Sequence, residues 1–166
     1  LNLGLHFLSG ALTLDPYVNP VDEDTASKIV WLDAFLTNVD RTVRNTNMLL
    51  WRNELWLIDQ GASLIFHHSW GDAAKAALSP FPYIKDHALL HKAVNIEDAD
   101  KALRQKITPR TLEKIVDLIP DGWLDWEGSE QTPDEIRGVY KLFLTERLKH
   151  SANFVKQIAD ARKALV

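Results

Sequence analysis

The chain has 166 residues, the size of one ordinary domain with room for a substantial core. Hydrophobic residues make up 46% and charged residues 25%, the balance of a soluble globular protein, and the formal charge of -4 argues against a general nucleic-acid binder, which needs a basic surface. The absence of cysteine excludes disulfides and thiolate-held zinc and fits a reducing cytoplasm. No apolar run approaches the roughly 20 residues of a membrane-spanning helix, so membrane insertion is not expected.

Leu1-Asn2-Leu3-Gly4 has neither an initiator Met nor a basic lead, and is expected to be the cut end of a longer chain rather than a signal peptide. Residues 1–21 mix apolar residues with Gly4, Gly10, Pro16 and Pro20, which predicts a lead-in with at most one short helix. Asp22, Asp24 or Thr25 then caps a helix carrying Ala26, Ile29, Val30, Asp33, Ala34 and Phe35 at helical spacing, ending near Thr37-Asn38. Two short apolar runs, Asn47 to Trp51 and Leu55 to Asp59, flank Arg52-Asn53-Glu54 and read as a β-hairpin closed off by Gly61.

The remainder reads as helical. Short helices are expected over Gly71 to Leu78 and around His87 to Lys92, and a longer one over Ile96 to Lys106, opened by acidic residues. Thr108-Pro109 starts another, running through Leu112, Ile115, Val116 and Ile119 to Pro120. Asp121 to Gln131 is expected to be a loop holding Trp123 and Trp126. Thr132-Pro133-Asp134-Glu135 opens a long helix, in one or two pieces, to about Leu165. The whole, residues 1–166, is expected to be a single mainly α domain with a small β-hairpin.

Chemistry concentrates in Asn38 to Asn47 and in Ile58-Asp59-Gln60-Gly61. Phosphoryl transfer from ATP requires a carboxylate for the proton of the attacking hydroxyl, and a second carboxylate with a neutral oxygen ligand to hold magnesium against the phosphates. Asp40 and Asn45 have the five-residue offset of a protein-kinase catalytic loop, and Asp59 ends the second strand, where a metal-binding Asp is expected. A hairpin between Asn45 and Asp59 brings its two ends together, so Asp40, Asn45 and Asp59 can converge. Magnesium prefers oxygen donors and keeps several waters, so one carboxylate and one amide suffice beside the nucleotide. Asp59 and Asn45 are therefore assigned to the metal, Asp40 to the substrate hydroxyl, and Asn45 with Asn47 to the cofactor. Arg41 is grouped with Asp40 as catalytic. For Arg41 and Arg44 two roles stay open: reaching a substrate or nucleotide phosphate, or pairing with a carboxylate.

Asp40-Arg41-Thr42-Val43-Arg44-Asn45 resembles the Asp-Arg-His-x-x-Asn loop of phosphoinositide kinases, and Leu57-Ile58-Asp59-Gln60-Gly61 resembles their metal-binding Ile-Asp-His-Gly. The stretch from about Leu3 to Trp70, including Gly4-Leu5-His6-Phe7 and Phe66-His67-His68, resembles a bacterial HipA-like kinase family. Thr42 and Gln60 depart from the phosphoinositide-kinase pattern, which has His at both places. The resemblance implies the C-terminal lobe of a protein-kinase-like α+β fold that uses ATP and magnesium to phosphorylate a hydroxyl. HipA-type relatives act on proteins and phosphoinositide kinases on lipid headgroups; the resemblance alone does not choose between them, and the bacterial flavour of the sequence favours a protein or small-molecule hydroxyl. Neither a Gly-rich phosphate loop, nor a Val-Ala-Ile-Lys-like strand, nor a Gly-x-x-x-x-Gly-Lys pattern is present. The N-terminal lobe is thus expected upstream of Leu1, and this lobe alone is expected to bind nucleotide poorly.

Two rival functions remain. One is a catalytically inactive, kinase-like protein-binding module. The other is a metal-dependent hydrolase using Asp59 and the histidines. His87 and His91 share the i, i+4 spacing of a helical metal pair but lack a third ligand, and are expected at a helix surface; adjacent His67 and His68 suit one ion poorly. Trp31, Trp51, Trp56 and Trp70 are expected in core and hairpin packing. Trp123 and Trp126 are expected either at a partner contact or folded back on the domain. The C-terminal helix, with Lys149, Lys156, Arg162 and Lys163, is expected to be an amphipathic cover.

Overall fold

A computed structural model describes Gly4, residues 6–68, residues 71–125 and residues 130–165. It is mostly helical, with a small antiparallel sheet. At its centre is α1 (Glu23–Leu36). The Asp22 carboxylate accepts the Thr25 N–H at 2.8 Å, while Glu23 and Asp24 set negative charge against the positive end of the helix. Ala26, Val30, Trp31 and Ala34 are buried on nearly every side of α1. They are enclosed by α3 (Ile96–Lys106), α6 (Pro133–Lys149) and α7 (Ser151–Lys163). Trp31 anchors this contact: its ring stacks on Phe35 at 5.2 Å, meets Phe154 edge-on at 5.4 Å, and its Nε1–H donates to Asp100 of α3 at 2.8 Å.

The remaining helices close over this centre. α2 (Ala73–Leu78) and α4 (Pro109–Val116) pack on α6, and the short α5 (Asp121–Leu124) follows α4. Thr108 caps α4 ahead of Pro109, and a reciprocal capping box between Thr132 and Glu135 opens α6. The last helical stretch does break in two, at His150, and Phe154, Val155 and Ile158 form the buried face of α7. Trp123 lies on α5, in what the sequence reads as loop, and stays partly exposed. Trp70, Trp126, Leu1 to Leu3 and Leu5 lie outside the described residues.

Two segments differ from expectation. The lead-in contributes a strand, β1 (Leu12–Thr13), paired antiparallel with β2 (Met48–Trp51), and shows no helix among its described residues. Leu14 extends the pairing by donating its N–H to Met48 O at 3.0 Å. In place of a helix over His87 to Lys92 there are two 3-10 turns, Pro82–Asp86 and Leu90–Lys92. His87 between them is extended and bridges antiparallel to Thr42, and Ala88 donates its N–H to Arg41 O at 3.0 Å. Pairing with the Thr42 segment outweighs local helical preference there.

The expected hairpin is β2 with β3 (Glu54–Leu57), in register Met48 with Leu57 and Trp51 with Glu54. Its loop is two residues, Arg52 (φ 51°) and Asn53 (φ 63°), the left-handed pair that matches strand twist. Trp51 and Trp56 meet edge-on at 5.7 Å, and the Arg52 guanidinium covers Trp51 at 4.3 Å.

A buried arginine joins the helices. Arg147 of α6 donates to Ala34 O through Nε at 3.0 Å and Nη2 at 2.7 Å, and through Nη1 to Ala77 O at 3.0 Å and Ser79 O at 3.4 Å. It satisfies carbonyls left over at the C-terminal ends of both α1 and α2, where a cation also suits the helix dipoles. Burial lowers its pKa to about 10, so it remains charged at neutral pH. Arg147→Met keeps the apolar stem and removes these donors, leaving Ala34 O with only the Thr37 N–H at 3.4 Å. It should lower unfolding free energy by about 2–4 kcal/mol in urea titration. An unchanged midpoint would show that the carbonyls find other partners.

Candidate active site

Asp33 lies on the buried face of α1, one helical turn from the end. A carboxylate removed from water requires cationic or hydrogen-bonding partners. Three side chains supply them: Arg41 Nε at 2.6 Å and His87 Nε2 at 2.9 Å on Oδ2, and Asn38 Nδ2 at 3.0 Å on Oδ1. His87 Nδ1 accepts the Leu89 N–H at 3.0 Å, so the ring proton sits on Nε2 and is given to Asp33. Burial pushes the Asp33 carboxyl up, but His87 and Arg41 together outweigh it and hold its pKa below the ordinary 3.8.

Arg41 therefore faces the interior. Its side chain is fully buried; Nη1 donates to Thr46 O at 3.4 Å and also to Asn47 O. The guanidinium spans from α1 to the far end of the loop and fixes the loop's shape, rather than reaching toward a phosphate. Arg44, by contrast, is exposed at the loop tip, where Thr42 and Asn45 exchange backbone hydrogen bonds at 3.0 and 3.2 Å.

This frame presents Asp40. Its N–H is held by Asn38 Oδ1 at 3.2 Å, and its Oδ2 accepts amide N–H groups from Asn45 at 2.8 Å and Asn47 at 3.0 Å. Two donors on one oxygen orient the half-buried carboxylate and leave Oδ1 as the oxygen able to meet a hydroxyl proton. Because both asparagines use their NH2 ends on Asp40, their carbonyl ends remain for a cation.

Asp59 is brought to the same region by the return of the hairpin. Ile58 N–H donates to Asn47 O at 2.9 Å, Asn38 Nδ2 to Gln60 Oε1 at 3.3 Å, and Val39 N–H to Ala62 O at 3.4 Å. These contacts stitch residues 58–62 alongside residues 38–47, with Asp59 between the first two. Asp59 is exposed and left-handed (φ 49°), and its Oδ1 lies 3.4 Å from the Gly61 N–H. A Cβ at Gly61 would come within 3.3 Å of that oxygen, so the glycine keeps space beside the carboxylate.

Two surface troughs flank the loop tip. One, of about 480 Å³, is bordered by Thr13 to Tyr17, Arg44 to Leu49 and Ile58. The other, of about 590 Å³, is bordered by Thr42 to Arg44, Lys85 to Ala88, His91 and Tyr17. Asn45 and Asn47 border the first; Asp40 and Asp59 border neither.

Asp33, Asn38 and His87 carry the architecture although sequence reasoning gave them no role in the site. The available signal was Asp33 itself, a carboxylate in register with Ile29 and Val30 on an apolar helix face. His87 is buried rather than at a helix surface. His91 stacks on Tyr17 at 4.9 Å. His67 pairs through Nδ1 with the Tyr140 hydroxyl of α6. Among the described residues no three His, Asp or Glu side chains form a metal-holding group, so the hydrolase alternative gains no ligand set.

Asp33→Asn leaves Arg41 without a counter-ion and should cost about 3–5 kcal/mol at pH 7. The folded pKa of Asp33 is depressed, so its contribution is complete above the unfolded value near 3.8 and is lost as pH falls through the lower folded value. The gap between wild type and Asp33→Asn in chemical denaturation should therefore narrow below about pH 4; a gap constant down to pH 2 would contradict the assignment. Comparison of the chain with protein-family models, with curated proteins and with solved structures finds no match in any of the three.

Proposed function

We propose that this chain is the C-terminal, catalytic-loop lobe of a kinase-like phosphotransferase that uses ATP and magnesium to phosphorylate a hydroxyl of a protein or small molecule, its nucleotide site completed by an N-terminal lobe. One observation carries this reading: Asn45 and Asn47 both load Oδ2 of Asp40, on a loop stitched to the segment that holds Asp59. A surface Asp in a turn needs no such arrangement, whereas an oriented proton acceptor does.

The donor set fits magnesium, since the Asp59 carboxylate and the Asn45 carbonyl are hard oxygen ligands. When bound, the ion neutralises charge on the ATP phosphates. Asp40 accepts the proton of the attacking hydroxyl. Asn45 and Asn47 hold Asp40 in place, and Arg41 acts as a positioning residue through Asp33 and the carbonyls of Thr46 and Asn47. A non-catalytic binding module is the second reading; the observation favouring it is that both troughs miss Asp40 and Asp59.

In the protein carrying both lobes, Asp40→Ala should lower phosphotransfer about 10²- to 10⁴-fold while keeping the thermal stabilisation by magnesium and ATP. Asp59→Asn should abolish both. Full transfer in both variants would refute the assignment. Absence of any Asp59-dependent nucleotide effect would favour the binding module.

A further inference from the structure

Asn38 is the buried side chain at which α1, the loop carrying Asp40 and the segment carrying Asp59 meet. The polarity of its amide is dictated by its neighbours. Ionised Asp33 only accepts, so the Asn38 NH2 must face it, and Nδ2 lies 3.0 Å from Asp33 Oδ1. Asn38 Oδ1 then faces the loop and takes the Asp40 N–H at 3.2 Å. The second N–H of the same NH2 is left for Gln60, which must offer it a carbonyl oxygen, and Gln60 Oε1 stands there at 3.3 Å. A charge buried in α1 thus sets which end of an exposed glutamine turns inward. The bonds on either side of this one run through backbone, from Ile58 N–H to Asn47 O and from Val39 N–H to Ala62 O. Gln60, directly after Asp59, reaches the loop through its side chain.

We propose that Gln60 is a positioning residue: by accepting from Asn38, it holds the segment that carries Asp59 in a set place beside the Asp40 loop. As a role in binding magnesium and ATP, this rests on the phosphotransferase reading above. Asp59 has use for such an anchor, because it is exposed and left-handed (φ 49°), and its Oδ1 meets the Gly61 N–H at 3.4 Å. The competing role for Gln60 is direct donation from Nε2 to a nucleotide phosphate. The two roles require opposite chemistry at position 60. Positioning needs an acceptor toward Asn38, whereas phosphate contact needs a donor toward the nucleotide.

The test uses three variants of this exposed residue, none of which should disturb the fold. Gln60→Glu keeps the acceptor, Gln60→Met keeps the length and loses it, and Gln60→Lys brings donors alone. Native-state amide exchange is measured first, without magnesium or nucleotide, at Val39 and Ile58, whose N–H groups cross between the two segments. Exchange there should quicken roughly threefold to tenfold in Gln60→Met and Gln60→Lys and stay at the wild-type rate in Gln60→Glu. In the protein carrying both lobes, KM for magnesium-ATP should then rise about threefold or more in Gln60→Met and Gln60→Lys alike, with kcat changed less. Wild-type exchange in Gln60→Met, exchange in Gln60→Glu as fast as in Gln60→Met, or a wild-type KM in Gln60→Lys would each overturn the proposal. Such a failure leaves the Asp59-dependent nucleotide effect standing, and so removes the role of Gln60 without removing phosphotransfer. Loss of that nucleotide effect removes phosphotransfer itself, and leaves Gln60 no metal ligand to position.

Discussion

The rest of the site depends on one buried carboxylate. Asp33 has no access to water, and its ionised form persists because Arg41, His87 and Asn38 converge on it. Each of those three residues belongs to a different piece of chain: the body of the loop, the segment between the two 3-10 turns, and the residue just beyond the end of α1. Neutralising one charge therefore fixes three backbones at once. Arg41 extends the effect by donating to the carbonyls of Thr46 and Asn47, which sets the loop's exit as well as its entry. Asp40 lies between these fixed points, and its orientation follows from them.

The same region concentrates unusual backbone conformations. Thr37, Asn47, Asp59 and Leu64 are all left-handed, a conformation that costs non-glycine residues about 1–2 kcal/mol each. Local hydrogen bonds offset this: Leu64 N–H reaches Leu36 O at 2.6 Å, and Ile65 N–H reaches Thr37 Oγ1 at 3.2 Å. The left-handed turn at Asn47 brings its side chain onto Asp40 while its carbonyl receives Ile58. Thr37 is the left-handed C-cap that ends α1, and Asn and Asp adopt this conformation more readily than other non-glycine residues.

How much of this was legible in the sequence follows from the range of the interactions. The helix over Ile96 to Lys106, the caps at Asp22, Thr108 and Thr132, and the hairpin around Asn53 depend on neighbours a few residues away, and periodicity and cap chemistry show them. The closure of the hairpin, which the sequence shows, brings residues 58–62 back alongside residues 38–47, where Asn45 donates to Asp40. The inward turn of Arg41 was not legible, because it is decided by Asp33, which the helical pattern places among apolar residues without saying what neutralises it. The segment from His87 to Lys92 departs from the helix expected there, with His87 extended and bonded to that same carboxylate. β1 is too short for periodicity to show, and exists through its pairing with β2. Arg147 looks like an ordinary basic residue near a helix end until the carbonyls of α1 and α2 are seen around it.

The central claim is that the Asp33–Arg41 pair holds the loop that carries Asp40. Native-state amide hydrogen exchange in Arg41→Lys tests it most directly, because lysine keeps the charge and loses the fork that reaches Asp33 and the loop carbonyls together. Faster exchange is expected at the Ile58 and Ala88 amides, which bond to Asn47 O and Arg41 O, with little change within α6 and α7. Wild-type exchange at Ile58 and Ala88 would mean that the loop keeps its shape without the arginine fork, and would contradict the account.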